Sequence, residues 1–344
     1  MKMKTFTINN LGEFISLIVH PKESRIKGYK EEIDENYPVI QEYYKILNMN
    51  KEDGFSIEKN LPFFLRNGSV IFDLLWYLEY KRFSATDSMK FYYRGNSSIY
   101  YKLAPGVYRA NIREENYYFR EMQVRCSMQL TQKSLLDKLV FLQHYGCPTR
   151  LLDITTNPLV ALYFACGENG TNDGVVHCFA VNEQDILYPN SDRAQMLSHL
   201  CEFPVVEQEQ MLAIAMYTYT KKKFLKSNNG KYEDSIIEKL YHAIKRETAA
   251  FEREMKPFDL LRPAFVQVSK SNQRIVKQDG AFIISGLNVD ENDCDKRISK
   301  YVFQQIIIPT GSKKQVLKEL EQVGICEATL FPEIDKVAEY LKQN

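Results

Sequence analysis

Apolar positions along the chain form blocks that alternate between helical and extended spacing. At 14–19, Phe14, Ile15, Leu17, Ile18 and Val19 gather on one helical face, and at 70–76 so do Val70, Ile71, Phe72, Leu74, Leu75 and Trp76. The aromatic-rich run 89–94 stops at Gly95 and predicts a strand. Helical spacing returns over 114–145, with Leu135, Leu136, Leu139, Val140 and Leu142 near its end, and Gly146-Cys147-Pro148 closes it. A short buried strand is expected over 150–155. Asn157 then reads as an N-cap, with Pro158 as the first helical residue, whose missing N–H has no partner to lose. That helix ends at Gly167, and 174–181 is apolar on both faces, as inside a sheet.

Over about 183–256 the pattern changes to polar residues at helical spacing, with apolar stripes at 211–216 and at Ile236, Ile237, Leu240 and Ile244. Strand patterns resume at 264–268, 280–284 and 303–309. Two helices close the chain: one carries Val316, Leu317, Leu320 and Val323 before Gly324, and the other carries Ile334, Val337, Ala338 and Leu341 after Pro332. The expected fold is α+β: an N-terminal helical region (1–88), then an α+β domain (89–344) with a helical insertion at about 183–256. Its core should be a split, largely antiparallel sheet. The strands are too few and too separated for a doubly wound nucleotide fold.

Composition narrows the function. The hydrophobic fraction is 44%, the charged fraction 26% and the formal net charge +1. A folded globular chain follows, and bulk electrostatic coating of nucleic acid or anionic membrane does not. The seven cysteines are scattered and form no C-x-x-C pair, which fits reduced thiols and no metal site. No apolar run reaches the ~18–20 residues of a bilayer span, and 1–10 lacks the apolar core of a signal peptide. A soluble cytoplasmic protein with no membrane partner is expected.

Phosphate-loop, dinucleotide, nucleophile-elbow and H-E-x-x-H motifs are all absent. Three segments stand out instead. The first is Phe91-Tyr92-Tyr93-Arg94-Gly95. The second runs from Gln143-His144-Tyr145-Gly146 through Arg150-Leu151-Leu152-Asp153 to Asn157-Pro158 and Phe164-Ala165. The third spans Arg274-Ile275, Gln278, Gly280 and Phe282. Together they resemble the FRG domain, a bacterial family with an aromatic-Arg-Gly motif. The resemblance is strongest over about 90–182 and about 260–340, and includes Gly324-Ile325 followed by Leu330-Phe331-Pro332.

The order of an arginine strand, a Thr/Ser pair, a helix and a late polar strand is also similar to the ADP-ribosyltransferase plan. That resemblance implies NAD as substrate, with Arg94, Thr155-Thr156 and Gln278-Asp279-Gly280 in its three slots. The expected NAD-binding residues are Arg94, Gly95, Thr155, Thr156 and Arg274. The expected catalytic residues are Arg94 and Gln278, joined on chemical grounds by Asp153, the carboxylate nearest that strand, and His144, a proton shuttle. Gly280 departs from the pattern, standing where the usual catalytic glutamate falls. The implied activity is ADP-ribose transfer to a protein or nucleic-acid acceptor, or NAD hydrolysis, in a toxin or phage-defence setting. The alternative is a non-catalytic module that binds a nucleotide-like ligand or a protein on the same fold.

The residue types suit that chemistry on their own terms. Cleaving a nicotinamide–ribose bond builds an oxocarbenium-like transition state that needs a carboxylate or strong dipole beside it. A guanidinium forks two donors to phosphate oxygens, and a histidine such as His144 moves protons near neutral pH. Each residue also has a structural alternative. Arg94 can pair with Asp153, and Asp153 with Arg150. Thr155, Thr156 and Asn157 read as a helix cap, Arg274 and Gln278 flank a turn, His144 can bind carbonyls at a helix end, and His177 fits a core strand. Tyr217, Tyr219 and Lys221–Lys223 can stack and hold a nucleic acid or form an ordinary solvated helix end.

Overall fold

The computed structural model describes residues 4–19, 38–48, 56–80, 88–109, 114–167, 171–270 and 272–333. Its strands are β1 (Lys4–Thr7), β2 (Met89–Asn96), β3 (Leu151–Thr155), β4 (Gly174–Asn182), β5 (Ala264–Val266), β6 (Gly280–Ile284) and β7 (Val302–Ile308). They join in the order β1-β7-β4-β2-β3-β6-β5, and every pair is antiparallel except β1 with β7. The fold is thus mixed α+β around one open, mostly antiparallel sheet. Its halves are joined at a narrow waist, because β2 and β3 share a single register position, Tyr93 with Thr155.

Helices before the insertion are α1 (Leu11–Val19), α2 (Pro38–Leu47), α3 (Ile57–Tyr80), α4 (Glu115–Arg125), α5 (Ser127–Leu130), α6 (Leu135–His144) and α7 (Pro158–Ala165). The expected N-terminal helical region thus also contributes a strand, β1, which takes the open edge of β7. The single helix expected over 114–145 is three. Cys126 leaves helical geometry, Gln132 has φ +67°, and Ser134 restarts the chain by accepting from the Asp137 N–H. Among the described residues no helix is long and apolar enough to cross a membrane.

The insertion contributes α8 (Asp192–His199), α9 (Val205–Thr218) and α10 (Ser235–Glu247). Its polar composition hides a buried centre: α9 is buried from Met211 to Thr218, packs on α3, and its Met216 carbonyl accepts from Tyr43 Oη at 2.7 Å. The exposed Lys221–Lys223 stretch follows directly, while Tyr217 and Tyr219 are buried, so the aromatics there belong to the core.

Farther along lie α11 (Pro257–Leu261), α12 (Gln273–Lys277), α13 (Glu291–Ser299), α14 (Thr310–Gln322) and α15 (Glu327–Leu330). Arg274 therefore sits on a short helix rather than at a turn or on a strand, because Asn272 caps it by accepting from the Arg274 N–H at 2.7 Å. The second closing helix, expected over 334–341, lies outside the described residues.

Strand alternation sorts the core. Tyr93, Val176, Cys178, Ile306 and Ile308 pack with α7, α14 and α1. Leu151, Phe282 and Ile284 pack with the large helical layer of α3, α6 and α8–α10. Tyr92, Leu152, Ile154, Phe179 and Ile283 share the opposite face with α13. Helix α7 lies unusually close to the sheet: a Cβ on Gly95 would stand 1.8 Å from the Ala161 carbonyl oxygen, and one on Gly174 2.0 Å from that of Ala165. Glycine at these two points is what allows the helix backbone to touch the strands.

Candidate functional site

A cleft of about 250 Å³ opens at the waist of the sheet, between α6 and α7, with α12 along its rim. Arg94, Gly95, His144, Asp153, Thr155, Arg274 and Gln278 all line it. Thr156 does not, and Gly280 does. Residues far apart in sequence, from Arg94 to Gly280, are thus brought to one cleft.

Arg94 reaches this cleft because the strands part. By alternation it belongs with Tyr92 on the far face of β2, opposite His177. Had pairing continued past Tyr93 and Thr155, Gly95 would have faced Asp153. Instead Arg94 Nη1 donates to the Asp153 main-chain oxygen at 2.5 Å, capping a carbonyl at the waist. The Asp153 carboxylate lies 4.0 Å from Nη1, and its side chain is 66% exposed. Arg94 itself is 16% exposed, and its buried Nε has no hydrogen-bond partner. Burial lowers its pKa, Asp153 opposes that, and Arg109 adds to the lowering.

The threonines serve the backbone. Thr155 Oγ1 donates to the Gln278 carbonyl at 2.7 Å and accepts from the Asn157 N–H at 2.9 Å. Thr156 donates through N–H and Oγ1 to the Asp279 carbonyl. Asn157 Oδ1 caps α7 by accepting from the Leu159 N–H at 3.0 Å, and its Nδ2 donates to Asp279 Oδ2 at 3.3 Å. Asp279 holds φ +47° in this connection. The cap reading of 155–157 is therefore realised at the cleft wall.

Gln278 caps the C-terminal end of α12 and donates through Nε2 to the Leu330 carbonyl at 3.1 Å. Arg274 lies 4.6 Å over the Phe331 ring, and Phe331 meets Phe164 edge-on at 6.1 Å. His144 ends α6, half-buried, with its ring against Tyr145. Gly280 opens the floor: a Cβ there would stand 3.3 Å from Ile275 Cγ2, an approach the side chain can relieve.

Arg150 does not pair with Asp153. It is buried and bound to Glu115, with its N–H 2.7 Å from Oε1, and its Nε 2.9 Å and Nη2 2.5 Å from Oε2. The pair anchors α4 to the start of β3. His177 is a core residue, as its strand pattern indicates: it is buried, with Nδ1 3.0 Å from Gln305 Nε2, and burial lowers its pKa to about 3. Gln143 and Phe164 also line the cleft and went unassigned in the sequence, although both stand in the second motif segment. Among the described residues no group of three His, Cys, Asp or Glu side chains is placed to hold a metal ion.

The FRG domain family model matches residues 89–174, a segment that carries β2, α6, β3 and α7. No curated protein and no solved structure matches the chain. The matched segment supplies the waist and two walls of the cleft, while α12 and β6 complete it from outside, and the chain thus contains an FRG domain over 89–174.

Proposed function

We propose that the cleft binds a nucleotide of the NAD class and that the chain is an ADP-ribosyltransferase-like protein acting on NAD. The observation that carries this reading is the meeting of two guanidinium groups, Arg94 with an unpartnered Nε and Arg274, with one exposed carboxylate, Asp153, in one cleft. Two forks of donors suit the oxygens of a diphosphate. About 250 Å³ is less than the ~300–1,000 Å³ of sites that enclose a whole drug-sized ligand. One nucleoside-phosphate end of the dinucleotide therefore occupies the cleft.

In the reaction the bond between ribose C1′ and the nicotinamide nitrogen breaks, and its electron pair leaves with the nicotinamide. The Asp153 carboxylate faces the positive charge that develops on the ribose. Water or an acceptor group on a protein or nucleic acid adds to C1′, and His144 takes the proton it gives up. Action of this kind on cellular NAD or on a macromolecule is how a toxin or phage-defence effector would work.

A second reading is favoured by Gly280 and by the engagement of Thr155 Oγ1 and Gln278 Nε2 with main-chain carbonyls. Those groups position the wall and leave less polar capacity for catalysis, as in a module that binds a nucleotide or protein without turning it over. Labelled NAD separates the two. Released nicotinamide supports the enzyme, binding without release supports the module, and absence of both overturns the nucleotide reading.

A further inference from the structure

We infer that Phe331 is a positioning residue of the cleft: its ring holds the Arg274 guanidinium in place, making Arg274 a fixed second cation for an anionic nucleotide. The inference rests on the reading that the cleft takes such a ligand. It adds to the site a residue that lies outside the segment matched by the family.

The geometry is specific. Helix α12 is five residues long, too short to restrain an arginine side chain by itself, and Arg274 is half-buried on it. The Phe331 ring lies 4.6 Å beneath the guanidinium and is itself braced edge-on by Phe164, which lines the cleft. Gln278 ties the same turn down through the Leu330 carbonyl. The turn is closed on its other side by Thr329, whose Oγ1 accepts from the Cys326 N–H at 3.1 Å and donates to the Gly324 carbonyl at 2.9 Å. A guanidinium over an aromatic ring is attracted by the ring's π face, an interaction that does not use up its N–H donors for phosphate oxygens. Less side-chain freedom is then lost when an anion binds.

Calorimetric binding of ADP-ribose and of inorganic pyrophosphate to the full chain tests this. Phe331→Ala and Phe331→Leu should each weaken binding about tenfold, as Arg274→Ala does, because both remove the ring and Leu keeps the apolar bulk. Phe331→Tyr should bind like the parent. Phe331→Ala combined with Arg274→Ala should be no weaker than Arg274→Ala alone, since the two residues act as one unit. Parent-like affinity in Phe331→Leu, or losses that multiply in the double variant, would overturn the assignment. Failure of the parent to bind either probe defeats the nucleotide reading, and hydrogen exchange then decides whether Phe331 positions Arg274. Faster exchange of the 273–278 amides in Phe331→Ala, at an unchanged melting temperature, supports it, and unchanged exchange rejects it.

Discussion

Arg94 holds Asp153 by its main chain and leaves the carboxylate to solvent. Nη1 is 2.5 Å from the Asp153 carbonyl oxygen and 4.0 Å from Oδ2, and the Asp153 side chain is 66% exposed. The two residues meet where the β2–β3 pairing stops, so one guanidinium both closes the sheet at its waist and charges the cleft. A structural contact to the main chain and the ligand-binding role proposed for Arg94 are therefore not exclusive alternatives.

This arrangement predicts unequal effects of substitution. Arg94→Ala removes a charged bond to a carbonyl and should cost about 2 kcal/mol, a few degrees of melting temperature, together with nucleotide binding. Arg94→Lys retains charge without the fork, and should melt nearer the parent yet still fail to bind. Asp153→Ala, which removes only the exposed carboxylate, should shift stability by at most ~0.5 kcal/mol and abolish NAD cleavage. Thermal melts paired with a nicotinamide-release assay check all three.

The two cleft glycines should behave oppositely. Gly95→Ala drives a Cβ to 1.8 Å from the Ala161 carbonyl, against two backbones that cannot both yield. A loss of ~3 kcal/mol or more is expected in chemical denaturation. Gly280→Ala meets Ile275 Cγ2 at 3.3 Å and should stay within ~1 kcal/mol of the parent. Equal losses in the two variants would contradict the packing described for α7.

Removing the carboxylate of Glu115 should be among the most damaging single changes. Glu115→Gln leaves the buried Arg150 guanidinium without its counter-charge and should cost ~3–5 kcal/mol. Replacing both members with apolar residues, as in Glu115→Leu with Arg150→Met, should recover part of that loss. Urea midpoints of the single and double variants give the comparison.

His177 predicts a pH dependence with a definite sign. Burial lowers its pKa to about 3 in the folded chain, below the unfolded value of about 6.5. Above pH 6.5 neither state binds the proton, so the contribution is constant there. As pH falls from 6.5 toward 3, the unfolded state takes up the proton first, and stability declines by about 1.4 kcal/mol per pH unit across the window. Urea denaturation at pH 7, 6 and 5 should show a shallower decline in His177→Gln than in the parent.

Much of the architecture was legible because it is local. Asn157-Pro158 announces the start of α7, the two-faced apolar run 174–181 a central strand, and Gly280 to Ile284 another strand, since caps, proline and burial act over a few residues. The Arg-Gly motif, the His144–Asp153 stretch and the Arg274–Gln278 stretch were likewise recognisable as chemistry-bearing residues. Helix breaks such as Gln132 were not, because a non-glycine residue with positive φ has no compositional mark.

Sequence alone determined which residue types are available to the cleft: two arginines, a carboxylate, a histidine and the glycines that admit close contact. Tertiary structure decided what each of them does. Arg150 faces Glu115 rather than Asp153 because the fold brings the first turn of α4 to the residue that precedes β3. Thr155 and Thr156 serve the Gln278–Asp279 connection because β6 lies beside β3. Arg94 enters the cleft from the opposite face because β2 and β3 separate after one shared position. Phe331 reaches Arg274 across 57 residues of chain only because the α15 turn docks on α12. Partners that distant are set by the register and packing of whole elements, and no local pattern of residues encodes those.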